Sequence, residues 1–123
     1  MEHVDPLENL SRFILQSNCY RPSDNRVRYS AFMPNPNNNE TSVFRTSGVS
    51  DKAIWDIGER NIQRKPILGR ADIITSVVLS NGLNVLPKEP PERHANISNW
   101  PGEKSKQKLV ALQLAEEANL RLR

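Results

Sequence analysis

The residues best suited to chemistry lie in one proline-rich stretch, PKEPPERHANISNWP, which covers residues 87 to 101. His94 is the only histidine outside the N-terminal segment, and an imidazole can donate, accept or release a proton near neutral pH. Arg93 beside it carries a planar set of donors that suits phosphate and carboxylate groups. Pro90 and Pro91 restrict the backbone, so we expect both side chains to be held in a defined position. The alternative is a final edge strand in which His94 only caps a loop carbonyl.

The stretch leads into a predicted helix whose start carries three basic side chains, called here the lysine cluster: Lys104, Lys106 and Lys108. Positive charge at the start of a helix opposes the helix dipole, so this arrangement is locally unfavourable. It becomes favourable when an anion binds, because the free amide groups of the helix N-terminus attract the same ligand. A turn at residues 101 and 102 would fold the cluster back toward Arg93 and His94. We therefore predict an anion-accepting surface formed by Arg93, His94 and the lysine cluster, with a solvated charged face as the alternative.

These residues support two hypotheses for the function of the chain. The first is a small accessory or binding module that recognises a phosphate-bearing ligand, a nucleic acid or an acidic protein partner. The second is a metal-independent enzyme acting on RNA or a nucleotide, in which His94 is the general acid or base. Arg93 and Arg45 would then stabilise the developing charge on phosphate, and Glu40 would be a second proton-transfer group. The usual phosphate-loop, dinucleotide, zinc-protease and nucleophile-elbow motifs do not occur, and we predict neither a metal nor a cofactor.

The composition indicates one small globular domain without a membrane segment. The 123 residues can bury a core without metals or disulfides, and the hydrophobic fraction of 37% argues against disorder throughout. The formal net charge of +3 permits a polyanionic partner but does not demand one. Cys19 is the single cysteine, which excludes an internal disulfide, and we interpret it as a small apolar side chain. Because the sequence shows neither a basic leader nor a long apolar run, we predict a cytoplasmic protein.

The first half of the sequence predicts a helix followed by a hairpin. DPLENL carries an acidic cap and a proline at the first helical position, which predicts a helix over residues 6 to 16, although SRFIL could also begin a strand. Alternating apolar and polar residues predict a strand over residues 26 to 33, paired with a second strand over residues 41 to 46. The tract PNPNNNE between them is typical of a turn. We expect residues 1 to 5 and 34 to 40 to be flexible.

The second half predicts two further helices around a buried strand. Ser50 caps a helix of about three turns, which Pro66 stops. The β-branched run over residues 71 to 79 is apolar on both faces and predicts a central strand. A turn at residues 81 and 82 and a short strand over residues 83 to 86 follow. The last segment predicts an amphipathic helix whose apolar positions recur at helical spacing: Ala111, Leu114, Ala115, Ala118 and Leu122.

Together these elements predict an α+β fold in a single domain over residues 1 to 123. We expect a small, mostly antiparallel sheet packed by two or three helices, of which the C-terminal helix is the long one. The predicted core takes apolar side chains from nearly every element: Phe13, Val43, Ile54, Trp55, Ile73, Val77, Leu83, Leu114 and Ala118.

Four stretches, ETSVFR, IWDIGE, GRADI and PPERHANISNWP, resemble those of an uncharacterised family of short bacterial proteins. The resemblance covers about residues 10 to 118 of the sequence. It implies a compact bacterial domain in the cytoplasm, and it implies no activity and no functional residue.

Overall fold

The computed structural model describes residues 3–123, which form a mostly antiparallel sheet packed by helices. In chain order the elements are β1 (Asn9–Ile14), β2 (Tyr20–Arg21), β3 (Arg26–Val27), β4 (Thr41–Arg45), α1 (Asp51–Asn61), β5 (Gly69–Ile74), α2 (Thr75–Ser80), β6 (Asn84–Pro87), β7 (His94–Ser98), α3 (Lys104–Glu117) and β8 (Asn119–Leu122). Six strands form the large sheet in the order β6-β7-β4-β1-β5-β8, and β2 pairs with β3 in a separate hairpin. This arrangement confirms the predicted α+β fold.

Helices cover both faces of the large sheet, because successive side chains of a strand point to opposite faces. On one face, called the α3 face, the strands bury apolar side chains against Ala111, Leu114 and Ala115 of α3. On the other, called the α1 face, Phe13 and Phe44 pack against α1, with their ring centroids 5.9 Å apart. Strands that are covered on both faces carry apolar residues on both sides, which obscures the alternation expected of a half-buried strand.

The predicted helix over residues 6 to 16 is wrong, because β1 occupies most of that range, and the alternative of a strand at SRFIL is confirmed. Its capping signal serves a turn instead: the Asp5 side chain accepts from the amide of Leu7 at 2.8 Å, and the Asp5 backbone carbonyl accepts from the amide of Glu8 at 2.9 Å. β1 then lies between β4 and β5 and pairs with both. Two ladders of backbone hydrogen bonds outweigh a helix cap, which contributes only about 1 kcal/mol.

The predicted strand over residues 26 to 33 is wrong beyond Val27, because residues 29 to 31 form a 3₁₀ turn. Strict alternation would place Phe32 on the wet side of a strand, whereas the structure buries it fully on the α3 face. The carbonyl of Phe32 accepts a hydrogen bond from Thr41 Oγ1 at 2.8 Å, which holds this segment over the start of β4. β4 therefore pairs with β1 and β7 instead of the predicted hairpin partner.

The two long helices are confirmed. Ser50 Oγ accepts a hydrogen bond from the amide of Ala53 at 3.2 Å, so α1 begins at the predicted cap. α3 begins at the lysine cluster but ends at Glu117, and Leu122 lies in β8. The predicted continuation of that helix to Leu122 is therefore wrong, because Asn119–Leu122 pairs with β5 at the edge of the sheet.

The predicted central strand over residues 71 to 79 is right only as far as Ile74, where α2 follows. Thr75 marks the change, because its amide and its hydroxyl both donate to the carbonyl of Glu8 at 2.9 Å. These bonds hold Thr75 to the residue that precedes β1, and α2 begins at Thr75. The β-branched residues that follow form a short helix, since packing overrides their intrinsic preference for strand.

The predicted core is largely confirmed. Most of its members are buried: Phe13, Val43, Ile54, Ile73, Leu83 and Leu114. The others are half-buried: Trp55, Val77 and Ala118.

The two segments that are predicted to be flexible differ in how far they are buried. Of residues 1 to 5, the first two lie outside the described residues, and Val4 is buried and donates to the carbonyl of Val85 at 3.2 Å. Residues 35 to 39 are exposed, and flexibility there stays a prediction. Among residues 3–123, no helix combines the length and the apolar character that crossing a membrane requires.

Candidate functional site

A cleft opens where β1 and β4 separate. The two strands are paired at Leu10↔Arg45 and Ser11↔Phe44, and their ladder stops there. The space between them continues into a cleft of about 580 Å³, called here the β1–β4 cleft. It is lined by cationic, neutral polar and apolar side chains, among them Arg12, Phe13, Ser42, Phe44, Arg64 and His94. A volume of this size is typical of a site for a small ligand.

Arg12 lies in the gap between the separated strands. Its Nε donates to the carbonyl of Ala31 and its Nη1 donates to the carbonyl of Ser42, both at 2.9 Å. Both partners are neutral groups, so these hydrogen bonds hold the guanidinium in place without compensating its charge. Burial lowers the pKa of the Arg12 guanidinium, because the charge is partly removed from water. The gap therefore presents a positive charge that an anion would stabilise.

His94 and Ser42 lie on the adjacent strands β7 and β4 and both line the cleft. Ser42 Oγ is 2.6 Å from His94 Nε2, and His94 Nδ1 is 2.9 Å from the carbonyl oxygen of Lys88. A carbonyl oxygen can only accept, so Nδ1 carries the proton of the neutral ring and Nε2 accepts from the Ser42 hydroxyl. Phe44 contacts the ring edge-on, with centroids 5.3 Å apart. The imidazole is thus held in one orientation and one tautomer.

The proline-rich segment before β7 sets the position of His94. The amide of Lys88 donates to the carbonyl of His94 at 2.9 Å, and the amide of His94 donates to the carbonyl of Pro91 at 3.1 Å. Within this turn, the amide of Arg93 donates to the Glu89 carboxylate at 2.8 Å. The alternative of a final edge strand is wrong, since β7 lies between β6 and β4 and β8 follows it. His94 does donate to a loop carbonyl, but its other ring nitrogen faces Ser42.

The other predicted catalytic residues are engaged elsewhere. Arg45 Nη2 forms an ion pair with Glu89 at 2.8 Å, and Arg93 Nη1 donates to the carbonyl of Arg45 at 3.3 Å. Glu40 accepts a hydrogen bond at 2.7 Å from a side-chain amide on β7. Glu40 also lies four residues from the position paired with His94, which is about 13 Å along an extended strand. Of the four predicted catalytic residues, His94 lines the β1–β4 cleft.

The lysine cluster lies on the opposite side of the sheet from the imidazole of His94. Ala95 and Ile97 of β7 face α3 in the main core, so the alternation along β7 directs His94 to the α1 face. On the other side, Lys108 Nζ lies 4.8 Å from the centroid of the Tyr29 ring. The structure therefore does not bring His94 and the lysine cluster together into the single surface that the sequence predicted.

Sequence reasoning missed Ser42, Arg12 and Arg64. Ser42 belongs to a correctly predicted strand, but its contact with His94 depends on the register Phe44↔His94 between β4 and β7. Ser42 and Phe44 share one face of that strand. A serine two residues before a buried aromatic is the sequence signal that could have identified this position. Arg12 lies within the range of the wrongly predicted helix. A helix there would not place Arg12 in a gap between two strands.

Within the described chain, no group of three or more His, Cys, Asp or Glu side chains is arranged to hold a metal ion. The thiol of Cys19 is free and partly buried at the wall of the β1–β4 cleft. No protein-family model, no curated protein and no solved structure matches this chain. The resemblance to short bacterial proteins thus stays a prediction, and the function must be inferred from the arrangement of these residues.

Proposed function

We propose that the chain is a small cytoplasmic binding module that holds the phosphate group of a ligand in the β1–β4 cleft. One observation carries this proposal: among the described residues, the charged side chains that line the cleft are Arg12 and Arg64, and no Asp or Glu lines it. A guanidinium that is partly removed from water and lacks a carboxylate attracts an anion more strongly than an exposed one. Arginine also matches the oxygens of a phosphate group with two parallel hydrogen bonds.

Neutral side chains of the cleft fit the rest of such a ligand. Asn61 and Gln63 supply side-chain amides near the end of α1, where Arg64 follows. Phe13 and Phe44 supply an apolar wall. A small molecule with one phosphate and one apolar or aromatic part would use both sides.

The proposal is tested by titrating the protein with inorganic phosphate while amide chemical shifts are followed by NMR. Shifts should concentrate at Arg12, Ser42 and His94, and the affinity should fall as salt screens the attraction. Arg64→Glu should weaken binding by about tenfold or more, because a hydrogen bond to a charged group contributes about 1.5 to 3 kcal/mol. Lys104→Glu is the matched control: it makes the same charge change in the lysine cluster, on the other side of the sheet, and should bind phosphate like the wild type.

Two results would contradict the proposal. A loss of binding in Lys104→Glu with none in Arg64→Glu would place the anion at the lysine cluster, as the sequence predicted. A short single-stranded RNA that shifts the amides of α3 but not those of the cleft would assign the anion-accepting role to a nucleic-acid surface instead. Saturable shifts confined to the cleft support the binding module.

A further inference from the structure

Ser42 and His94 have the geometry of a nucleophile and its general base. In serine hydrolases the imidazole takes the hydroxyl proton as the oxygen attacks, and a third group holds the imidazole in the correct tautomer. The 2.6 Å contact between Ser42 Oγ and His94 Nε2 fits the first requirement. The carbonyl of Lys88, 2.9 Å from Nδ1, fits the second.

The exposure of Ser42 distinguishes it from a serine that only stabilises the fold. Ser11, on the neighbouring strand β1, is fully buried, and its hydroxyl bonds Asp72 at 2.6 Å and Thr46 at 2.8 Å. Those contacts satisfy a polar group inside the protein. Ser42 is exposed, and its hydroxyl contacts a titratable ring at the wall of a cleft. A molecule in the cleft therefore has access to the Ser42 oxygen.

We infer that the Ser42–His94 pair hydrolyses a carboxylic ester that carries an anionic group. This inference rests on the proposed function, since the same cleft has to hold the anion. Arg64 would bind the anionic group, and the wall formed by Phe13 and Phe44 would hold the apolar part. The charge of the substrate thereby sets its orientation relative to the serine.

The reaction balances with water as the only co-reactant. The oxygen of Ser42 forms a bond to the ester carbonyl carbon while its proton moves to His94 Nε2. The bond from that carbon to the alcohol oxygen then breaks, and the alcohol leaves with the proton from Nε2. Water attacks the acyl-serine and gives a proton to Nε2. The carboxylic acid is released, and the proton returns to the Ser42 oxygen.

Arg12 adds a fixed positive charge to the cleft and lies against the backbone of the nucleophile. Its Nη1 lies 2.9 Å from the carbonyl oxygen of Ser42, so the guanidinium is fixed next to the backbone of that residue. Negative charge develops on the ester carbonyl oxygen during attack, and the net positive charge of the cleft lining favours that step.

The experiment treats the full chain with a fluorophosphonate, which modifies activated serines, and follows the adduct by intact-protein and peptide mass spectrometry. The wild type should carry one adduct at Ser42, and Ser42→Ala should carry none. His94→Gln should slow labelling by about 10² to 10⁴-fold, because glutamine can bond the hydroxyl but cannot take its proton. Ser30→Ala is the matched control: Ser30 also lines the cleft, but its hydroxyl donates to the carbonyl of Asn18 at 2.9 Å, so labelling should not change.

Labelling at Ser42 that depends on His94 supports the inference. An unlabelled wild type, or labelling of Ser42 at an equal rate in His94→Gln, overturns it. Thermal unfolding of each variant shows whether a lost adduct reflects a lost fold, and His94→Ala provides a second test should the glutamine variant fail to fold. Phosphate binding in the NMR titration without labelling would overturn the serine chemistry and leave the binding module intact.

The class of substrate is tested by comparing two esters of one leaving group. The wild type should hydrolyse 4-nitrophenyl hemisuccinate, which is anionic, with a higher kcat/KM than the neutral 4-nitrophenyl acetate. Arg64→Gln should reduce that preference by about tenfold, which corresponds to about 1.4 kcal/mol. Equal kcat/KM values for the two esters in the wild type would overturn the anionic substrate.

Discussion

The guanidinium carbon of Arg70 lies 4.6 Å from the centroid of the Trp55 ring, inside the protein and on the α1 face of the sheet. Only 2% of the Arg70 side chain is exposed. Its Nε donates to both carboxylate oxygens of Asp72 at 3.1 Å, and its Nη2 donates to Asp51 at 2.6 Å. A buried cation is tolerated when it is paired and hydrogen-bonded. The two carboxylates and the indole ring pair the charge here, and among the described residues Nη1 has no hydrogen-bond partner.

Asp72→Ala should destabilise the protein by about 3 to 5 kcal/mol, because it leaves the buried charge of Arg70 without the more buried of its two carboxylates. The free energy of unfolding in urea measures the loss. Asp56→Ala is the control, since Asp56 forms an exposed pair with Lys52 at 3.3 Å and should change stability by less than about 0.5 kcal/mol. Similar losses in both variants would show that Arg70 does not depend on Asp72.

Asp51 should make stability depend on pH. The hydrogen bond from Arg70 and then the charge of that residue lower the pKa of Asp51 in the folded state. A carboxyl group with a lowered folded pKa stabilises the protein above its unfolded pKa and loses this contribution as pH falls through the folded value. The difference in unfolding free energy between wild type and Asp51→Asn should therefore stay constant above about pH 5 and shrink as the pH falls below the ordinary Asp pKa of about 3.9. A difference that stays constant from pH 5 down to about pH 2 would contradict the assignment.

The parts of the fold that the sequence predicted correctly are those with a local cause. Ser50 begins α1 because a serine oxygen can accept from an amide of the first turn, and that relationship is contained within four residues. β1 has no such local signature. It is a strand because β4 and β5 lie on either side of it, and Asp5 uses the same capping chemistry to close a turn.

The candidate site also combines one residue with a local sequence signal and one whose position depends on distant segments. His94 was recognised from its residue type and from the prolines before it. Ser42 was missed because its partner is 52 residues away in sequence, and only the register of β4 against β7 brings the two side chains to 2.6 Å. The turn at residues 101 and 102 predicts that the lysine cluster lies beside His94, but the alternation of side chains along β7 directs His94 to the opposite face of the sheet.

Gly69→Ala should destabilise the edge of the sheet by about 1 to 3 kcal/mol, the usual loss when a packed site receives an extra methyl group. A Cβ at Gly69 would lie 2.8 Å from the carbonyl oxygen of Arg121, which belongs to the backbone of β8 and cannot rotate away. Gly102→Ala is the control, because no atom lies within 4 Å of its Cβ position, and it should change the unfolding free energy by less than about 0.5 kcal/mol. Hydrogen exchange should also rise along Asn119–Leu122 in Gly69→Ala, and unchanged exchange there would contradict the close contact with β8.

The asparagine-rich loop should contribute to the stability of α3 through one residue, Asn39. Its Nδ2 donates to the carbonyl of Trp100 at 3.3 Å, and its Oδ1 accepts from Gln107 Nε2 at 2.9 Å, so the loop bonds both the approach to α3 and its first turns. Asn39 also has a φ of 57°, a conformation that costs alanine about 1 to 2 kcal/mol. Asn39→Ala should therefore lower the unfolding free energy by about 1 to 3 kcal/mol. Asn37→Ala is the control in the same exposed loop. The hydrogen bond from Asn37 to Asn35 Oδ1, at 2.8 Å, uses the backbone amide of Asn37, so the substitution leaves this bond in place.

Asn39→Gly separates the two causes, because glycine adopts a positive φ without strain but cannot make either side-chain hydrogen bond. If the hydrogen bonds matter, this variant should retain part of the loss, and amide exchange in the first turns of α3 should rise in both Asn39 variants. Equal stability of Asn39→Gly and the wild type would assign the whole effect to the backbone. Equal stability of Asn39→Ala and Asn37→Ala would show instead that the loop is independent of α3, as its composition alone suggests.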